Sequence, residues 1–293
     1  MKKIALATIL AAASIAASAQ VTVYGNLRGF VDSTEVGTVS HTSMMSDSSR
    51  VGVTASEKLS GGLTVRATVE TAIAVTNPAV GTDTKIGDRQ STVGFISKMG
   101  SIDLGRAFNS HFLAVTNNDA FGTYYGSIAG DVHNLRTLRS GDAAFGTLNA
   151  GPAQISADRT FTAVGAETTT YSVSGKVGPV DATVAVFESG TAKSTVVAGQ
   201  AKVRNLHVYA SHSSDKDGAK ESTGNLIGAT MAVGNSPVTL KASYGTKSVG
   251  DVKAYNFGAD YALSKRTAIS VAYRNVNAAT DTKQMGLGIT TTF

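Results

Sequence analysis

Cysteine is absent from this chain, so no disulfide can staple it, and it must be held by a packed core or by a closed sheet. Long apolar runs are missing as well. Beyond the N-terminal segment no stretch of about 18 apolar residues occurs, which excludes membrane-spanning helices. The apolar residues, 42% of the total, do not gather into a helical stripe, and only 4 prolines accompany 31 glycines and abundant Thr, Ser and Val. That composition favours strands. A strong charge of one sign is lacking too: 26 Lys and Arg against 21 Asp and Glu leave +5, too weak a bias to suggest a nucleic-acid partner.

Catalytic and metal-binding patterns are equally scarce. The histidines, His41, His111, His133, His207 and His212, show neither HxxxH nor HExxH spacing, and no cysteine exists to join them in a metal site. There is no GxSxG elbow, and no glycine pattern of the kind that cradles phosphates or dinucleotides follows a strand and opens a helix. Scattered Ser, His and Asp do not by themselves make a triad. The residues therefore imply no catalytic group, no cofactor and no metal.

What the chain does contain is alternation. From Met285 to Phe293 an apolar side (Met285, Leu287, Ile289, Phe293) alternates with a small or polar one (Gly286, Gly288, Thr290, Thr292), the pattern of a strand with one face in lipid and one in water. At the other end, Lys2 and Lys3 precede an apolar stretch from Ile4 to Ala17 and then Ala17-Ser18-Ala19, which reads as an export signal, residues 1–19, cut before Gln20. Its removal takes away two lysines and no acid, so the +5 of the full chain becomes +3. An exported chain ending in a membrane strand on a bare aromatic points to the outer membrane of a Gram-negative bacterium.

The same period recurs throughout. Tight turns are expected at residues 57–62, 98–101, 149–154, 178–179, 203–205, 234–237 and 263–266, each carrying Gly, Pro, Asn or Ser. Longer polar loops are expected at residues 33–48, 76–87, 107–142, 165–167, 188–193, 212–221, 246–250 and 275–281, which places four of the five histidines in loops. Seven turns and eight loops count out to about 16 antiparallel strands, an all-β closed transmembrane barrel of one domain, residues 20–293, with weak alternation at 143–164. A barrel of that size encloses water, because side chains from one wall no longer reach the other.

Parity sorts the side chains. Val21, Val23, Val51, Val53, Ala55, Ala67, Val69, Phe257 and Val271 would face lipid, while Arg28, Asp32, Arg50, Thr54, Arg66, Glu70, Lys241, Asn256, Asp260 and Arg274 fall on the other face. A charge in lipid at mid-depth costs on the order of 2 to 4 kcal/mol, so these belong in the lumen. Arg28, Arg50, Arg66, Arg89 and Arg106 all lie on the first five strands, either as a positive stripe along the pore or as lumen charge paired with Asp32, Glu70 or Asp103. Arg106 shares parity with Ile102 and Leu104, so it turns inward only if the strand breaks at Gly105.

The heptad Tyr261-Ala262-Leu263-Ser264-Lys265-Arg266-Thr267, ahead of an alternating strand, resembles the general porins of Gram-negative bacteria, especially the beta-proteobacterial kind. Val23-Tyr24-Gly25, Ser49-Arg50-Val51-Gly52, Glu57-Lys58-Leu59-Ser60-Gly61-Gly62-Leu63, Val93-Gly94-Phe95 and Leu104-Gly105-Arg106 carry the likeness further; it is weakest at residues 107–164. Two departures stand out: Thr54 where the family commonly has a basic residue, and Thr292 where a histidine usually precedes the final Phe.

The resemblance implies a homotrimeric channel in outer-membrane lipid, with residues 107–142 as a third loop folded into the lumen and narrowing it against basic wall residues. Within that segment Asp119, Asp131 and Asp142 with Arg136 and Arg139 would hold the loop to the wall or shape the field across the pore. Phe293 would be the assembly signal, and Gly25, Ala55 and Ala67 a flat surface between subunits. The expected activity is passive diffusion of ions and small hydrophilic solutes with a weak anion preference, and no enzymatic step. A barrel plugged by its own loop and serving as an adhesin or structural element, and a barrel enzyme, are the alternatives left open.

Overall fold

The computed structural model describes residues 19–76, 85–162 and 166–293. The export signal therefore lies outside the described residues apart from Ala19, as do parts of the expected loops at 76–87 and 165–167.

The described strands are β1 (Ala19–Val36), β2 (Val39–Ser46), β3 (Arg50–Lys58), β4 (Thr64–Ala72), β5 (Gln90–Ser97), β6 (Gly100–Phe108), β7 (Arg139–Ala150), β8 (Ala153–Thr160), β9 (Thr168–Val177), β10 (Val180–Ser189), β11 (Ala192–Val203), β12 (Leu206–Asp217), β13 (Lys220–Ala232), β14 (Val238–Lys247), β15 (Val252–Ala262), β16 (Thr267–Asn277) and β17 (Thr282–Thr292). Apart from β2 and β3, consecutive strands pair antiparallel, and β17 returns to β1 with Asn26 opposite Thr292 and Val36 opposite Thr282. The result is a closed barrel of 16 strands. The seventeen segments fill sixteen places because β2 and β3 are halves of one wall strand: β1 pairs with β3 through residues 19–26 and with β2 through residues 29–36.

Between those halves, Asp47, Ser48 and Ser49 leave the ladder, with Ser48 at φ 53°. The break keeps its hydrogen bonds, since Asp47 N donates to the Arg28 carbonyl at 3.1 Å and Arg28 N donates to Ser49 Oγ at 2.8 Å. It also shifts parity by one residue. Outward positions are even in β2 and odd in β3, which is what a bulge does to a strand.

Each expected tight turn is present, but several expected loops are strand. β1 and β2 meet across two residues at 37–38, and β12 and β13 run on to Asp217 and Lys220, so His41 and His212 sit on strands rather than in loops. Past the lipid band both faces of a strand meet water, so the alternation that marks it vanishes while its ladder hydrogen bonds continue. The weakly patterned region also forms paired strands, β7 and β8, with Ala143 opposite Thr160 and Ala150 opposite Ala153.

Parity holds around the wall. Val31, Val93, Phe95, Leu104, Tyr171, Val184, Ile227, Phe257 and Leu287 are exposed on the outside, and Asn26, Asp32, Glu70, Asp103, Asp158 and Asn256 are buried inside. No helix is long and apolar enough to cross a membrane among the described residues.

Residues 109–138 fold into the lumen and carry two short helices, α1 (Ser110–Thr116) and α2 (Ala129–Val132). Asn109 caps α1 by accepting from Phe112 N at 2.7 Å and ties it back by donating to the Thr137 carbonyl at 2.7 Å. The helices pack on the inner faces of β8 to β11 and of β13 to β15. Val115, Ile128 and Val132, all at 0% exposure, meet Ala185, Val196, Leu226, Ala254 and Val276 of the wall in an apolar core that occupies part of the lumen. Truncating one such side chain to Ala costs on the order of 2 to 4 kcal/mol.

Candidate functional site

Polar clamps hold the loop around this core. Tyr125 donates its hydroxyl to Asp32 at 2.5 Å and stacks on Phe30 with ring centroids 4.2 Å apart, and Tyr125 N donates to Asp47 at 2.9 Å. Asn256 donates to the Gly126 carbonyl at 2.6 Å. Arg274 reaches the Ser127 carbonyl at 3.1 Å and Asp131 at 3.0 Å. His111 Nε2 meets Ser194 Oγ at 2.7 Å, and His133 is held on both ring nitrogens, by Ser213 and Ser211 at 2.9 Å each. Burial pushes both imidazoles down to about 4. Burial likewise raises the Asp131 carboxyl, with Arg274 opposing it, and raises the Tyr125 hydroxyl.

Several of these contacts rest on glycines at inward strand positions. A Cβ on Gly286 would stand 2.1 Å from the Tyr125 hydroxyl, and one on Gly224 would stand 2.0 Å from the Val132 carbonyl. An inward glycine in a barrel strand marks where another part of the chain comes close. That signal was present in the sequence and identifies the docking bed.

The wall arginines divide by partner. Arg50 and Arg89 both reach Glu70, at 3.4 and 2.8 Å. Arg66 pairs with Asp103 at 3.3 Å, and Arg28 lies 3.7 Å from Asp47 while its guanidinium covers the Tyr124 ring at 3.5 Å. Arg28 and Arg66 thus each stand beside one carboxylate, and two cations meet a single carboxylate at Glu70. Thr54 faces Thr68, their hydroxyls 3.1 Å apart, so the step between Arg50 and Arg66 is neutral.

At Gly105 the strand does break. Its φ is +128°, and the pairing of β6 with β7 slips between Gly105 and Ala107. Arg106 stays exposed, with Nε donating to the Asp88 carbonyl at 2.7 Å.

The loop residues separate as well. Asp119 is 4% exposed and does not reach the wall; it accepts from Thr123 N and Ser127 Oγ at 2.7 Å and from Phe121 N at 3.3 Å, so it ties its own turn. Burial raises its carboxyl. Arg136 is anchored at the rim by Asp217 at 3.2 Å and Asp215 at 4.0 Å. Arg139, the first residue of β7, lays its guanidinium on Phe108, 3.9 Å from the ring centre. Asp142 takes a left-handed backbone at φ 48°.

Two cavities flank the loop. One, of about 720 Å³, is lined by Arg89, Phe108, Leu113, Asp131, Leu138, Arg139 and Arg274 among others. The second, of about 400 Å³, is lined by Arg28, Asp119, Phe121, Lys241 and Asp260 among others. Asp47, Gly122, Tyr124 and Tyr125 line both, so the turn at 122–125 and the wall break at Asp47 form the partition between them. Sequence parity could not single out Asp47, Tyr124 or Tyr125, because the first lies in the bulge and the others in the loop. Lys241 and Asp260, paired at 2.5 Å, were legible as lumen residues but not as partners.

The sequence pattern of the family described as Gram-negative porin matches residues 5–281. Among solved structures, the fold is similar to that of an anion-selective porin from Comamonas acidovorans, at 18% identity and a TM-score of 0.79, over 94% of this chain and 100% of that one. It is similar as well to OmpT of Vibrio cholerae in its trimer form (14% identity, TM-score 0.72, 94% and 100% of the two chains). A third similar structure is Salmonella typhi OmpF in complex with daunomycin (15% identity, TM-score 0.73, 93% and 97%). No curated protein matches the chain.

Proposed function

The chain belongs to the Gram-negative porin family and forms an outer-membrane channel for passive diffusion, and from that premise we propose that the channel prefers anions weakly. One observation carries the proposal: on the wall from β3 to β7, Arg50 and Arg89 share the single carboxylate of Glu70, while the Arg139 guanidinium makes no ion pair within 4 Å among the described residues and has Arg89 and Arg106 near it as well as Glu70 and Asp88. Fixed positive charge beside a narrow aqueous path raises the local anion concentration. Next to that wall, on β1 and at the break before β3, Asp32 and Asp47 face Tyr125, Arg28 and the loop, which keeps the preference weak. The similar fold of the Comamonas porin, described as anion-selective, is in keeping with this reading. The test is the reversal potential across a bilayer in a KCl gradient; a clear cation preference would overturn it.

The same reading includes a homotrimer and no enzymatic step. Val21, Ala55 and Ala67 lie side by side on the outer face of β1, β3 and β4, a smooth patch suited to close packing between barrels. A related fold, OmpT of Vibrio cholerae, is described in a trimer form. Protein that ran only as a monomer in mild detergent would remove the trimer. The mature chain begins at Gln20, which N-terminal sequencing of outer-membrane material reads directly. Purified protein that inserted into bilayers without stepwise current would favour a plugged barrel instead.

A further inference from the structure

Lumen surfaces in a diffusion pore are expected to be polar, yet the larger cavity exposes apolar side chains to its water. Leu113 and Leu138 keep 37% and 44% of their surface exposed there, beside Phe108 and Phe112, whose rings stack at 4.8 Å. Next to this patch stands Arg139. Of the charged side chains lining the cavity, Arg89 is engaged by Glu70, Arg274 by Asp131, and Asp47 by Arg28. Arg139 alone has neither an ion pair nor a side-chain hydrogen bond among the described residues, and its Nε is buried without a partner. Its guanidinium lies on the Phe108 ring face, and Glu70 and Asp88 act on it only through space.

We propose that this cavity is a binding site for small carboxylates that carry an apolar body, aromatic or short-chain alkyl, with the carboxylate on Arg139 and the body on Leu113, Leu138 and Phe108. A guanidinium is built to take a carboxylate through two parallel hydrogen bonds, and here the pairing would also satisfy a buried donor. Inorganic anions match the charge but leave the leucines wet. Apolar cations cover the leucines but are repelled by Arg139 and Arg89. Only a solute with both features gains from both surfaces, and at about 720 Å³ the cavity lies in the size range of small-molecule sites. The inference rests on the channel reading and deepens it: such solutes would be concentrated at the loop before crossing.

The experiment uses the purified full-length protein in planar bilayers, with benzoate, acetate and benzylamine added in turn to KCl. Benzoate should interrupt the chloride current at concentrations about tenfold lower than acetate, with benzylamine ineffective. R139Q should weaken the benzoate effect about tenfold, and L138S should bring benzoate and acetate towards equal potency. Calorimetric titration of benzoate into the detergent-solubilised protein reads the same site without relying on current, and heat-modifiable gel migration checks that each variant is folded. Equal potency of benzoate and acetate on the unmodified protein, or a benzoate effect unchanged in both variants, would overturn the site while leaving the channel intact. Absence of any current would instead sink the channel, and the titration would still decide the site.

Discussion

Gly25 and Phe293 close the barrel against each other. Gly25 N donates to the Phe293 carbonyl at 3.1 Å, Phe293 N donates back to the Gly25 carbonyl at 3.1 Å, and the phenyl ring lies 2.6 Å from where a Cβ on Gly25 would stand. The terminal aromatic is therefore a packing element of the seam between β1 and β17, whatever its part in targeting. G25L should displace the ring and lower the yield of folded, heat-modifiable protein, and F293D should do so more severely by removing the ring from the seam and putting a charge in its place. Normal insertion of F293D would show that neither packing nor signal depends on this residue.

Tyr125 sits on Gly286 and bonds Asp32, so the loop should be movable from the wall side. G286A leaves no room for the Tyr125 hydroxyl at its present position, since the added carbon would meet it at 2.1 Å. Single-channel conductance is expected to rise in G286A, and to rise less in Y125F, which loses the hydrogen bond but keeps the stack on Phe30. Conductance equal to the unmodified channel in both variants would mean that the turn at 122–125 does not limit the path.

Loop docking should weaken with acid. His111 and His133 have docked pKa values of about 4, below the 6.5 of a free imidazole, because burial disfavours the charged ring. Above pH 6.5 neither state holds the extra proton and docking is complete. Between pH 6.5 and 4 a released loop takes up protons that the docked loop refuses, so docking is lost progressively by at most about 3 kcal/mol for each histidine and then levels off. Asp119 and Asp131 act in the opposite sense, since burial raises them and their protonation favours the docked state. Current noise should therefore increase from pH 6.5 downwards, and H133Q should blunt the change; a flat profile above pH 5 would contradict the assignment.

Selectivity should respond in both directions. E70Q removes the one carboxylate that Arg50 and Arg89 share and should increase anion preference, whereas R89Q should decrease it. Both shifts should shrink between 0.1 M and 1 M salt as the Debye length falls from about 10 Å to about 3 Å. R66A should decrease the anion preference as well, because it leaves the Asp103 carboxylate unpaired beside the path. Reversal potentials at two salt concentrations measure all three.

The wall of this barrel was legible in the chain because side-chain parity is a local property. Val51, Val53 and Ala55 declare the lipid face without reference to any distant residue, as Arg66 and Glu70 declare the lumen, and Gly105 even marks where β6 slips against β7. Strand ends were not legible where both faces are wet, which is why His41 and His212 read as loop residues.

What the sequence alone determined is the all-β fold, the strand count, the inward arginines and the long loop between β6 and β7. Tertiary structure decided which charges cancel. Asn256 meets Gly126 and Lys247 meets Asn134 across more than a hundred residues, and Asp119 turns back into its own loop while Asp131 finds Arg274. Period-two alternation assigns each side chain to a face but carries no information on its neighbour across the lumen. The pairing of Arg50 and Arg89 on Glu70, the lack of a close ion pair at Arg139, and the seating of Tyr125 on Gly286 therefore exist only once the sheet has closed and the loop has folded inside it.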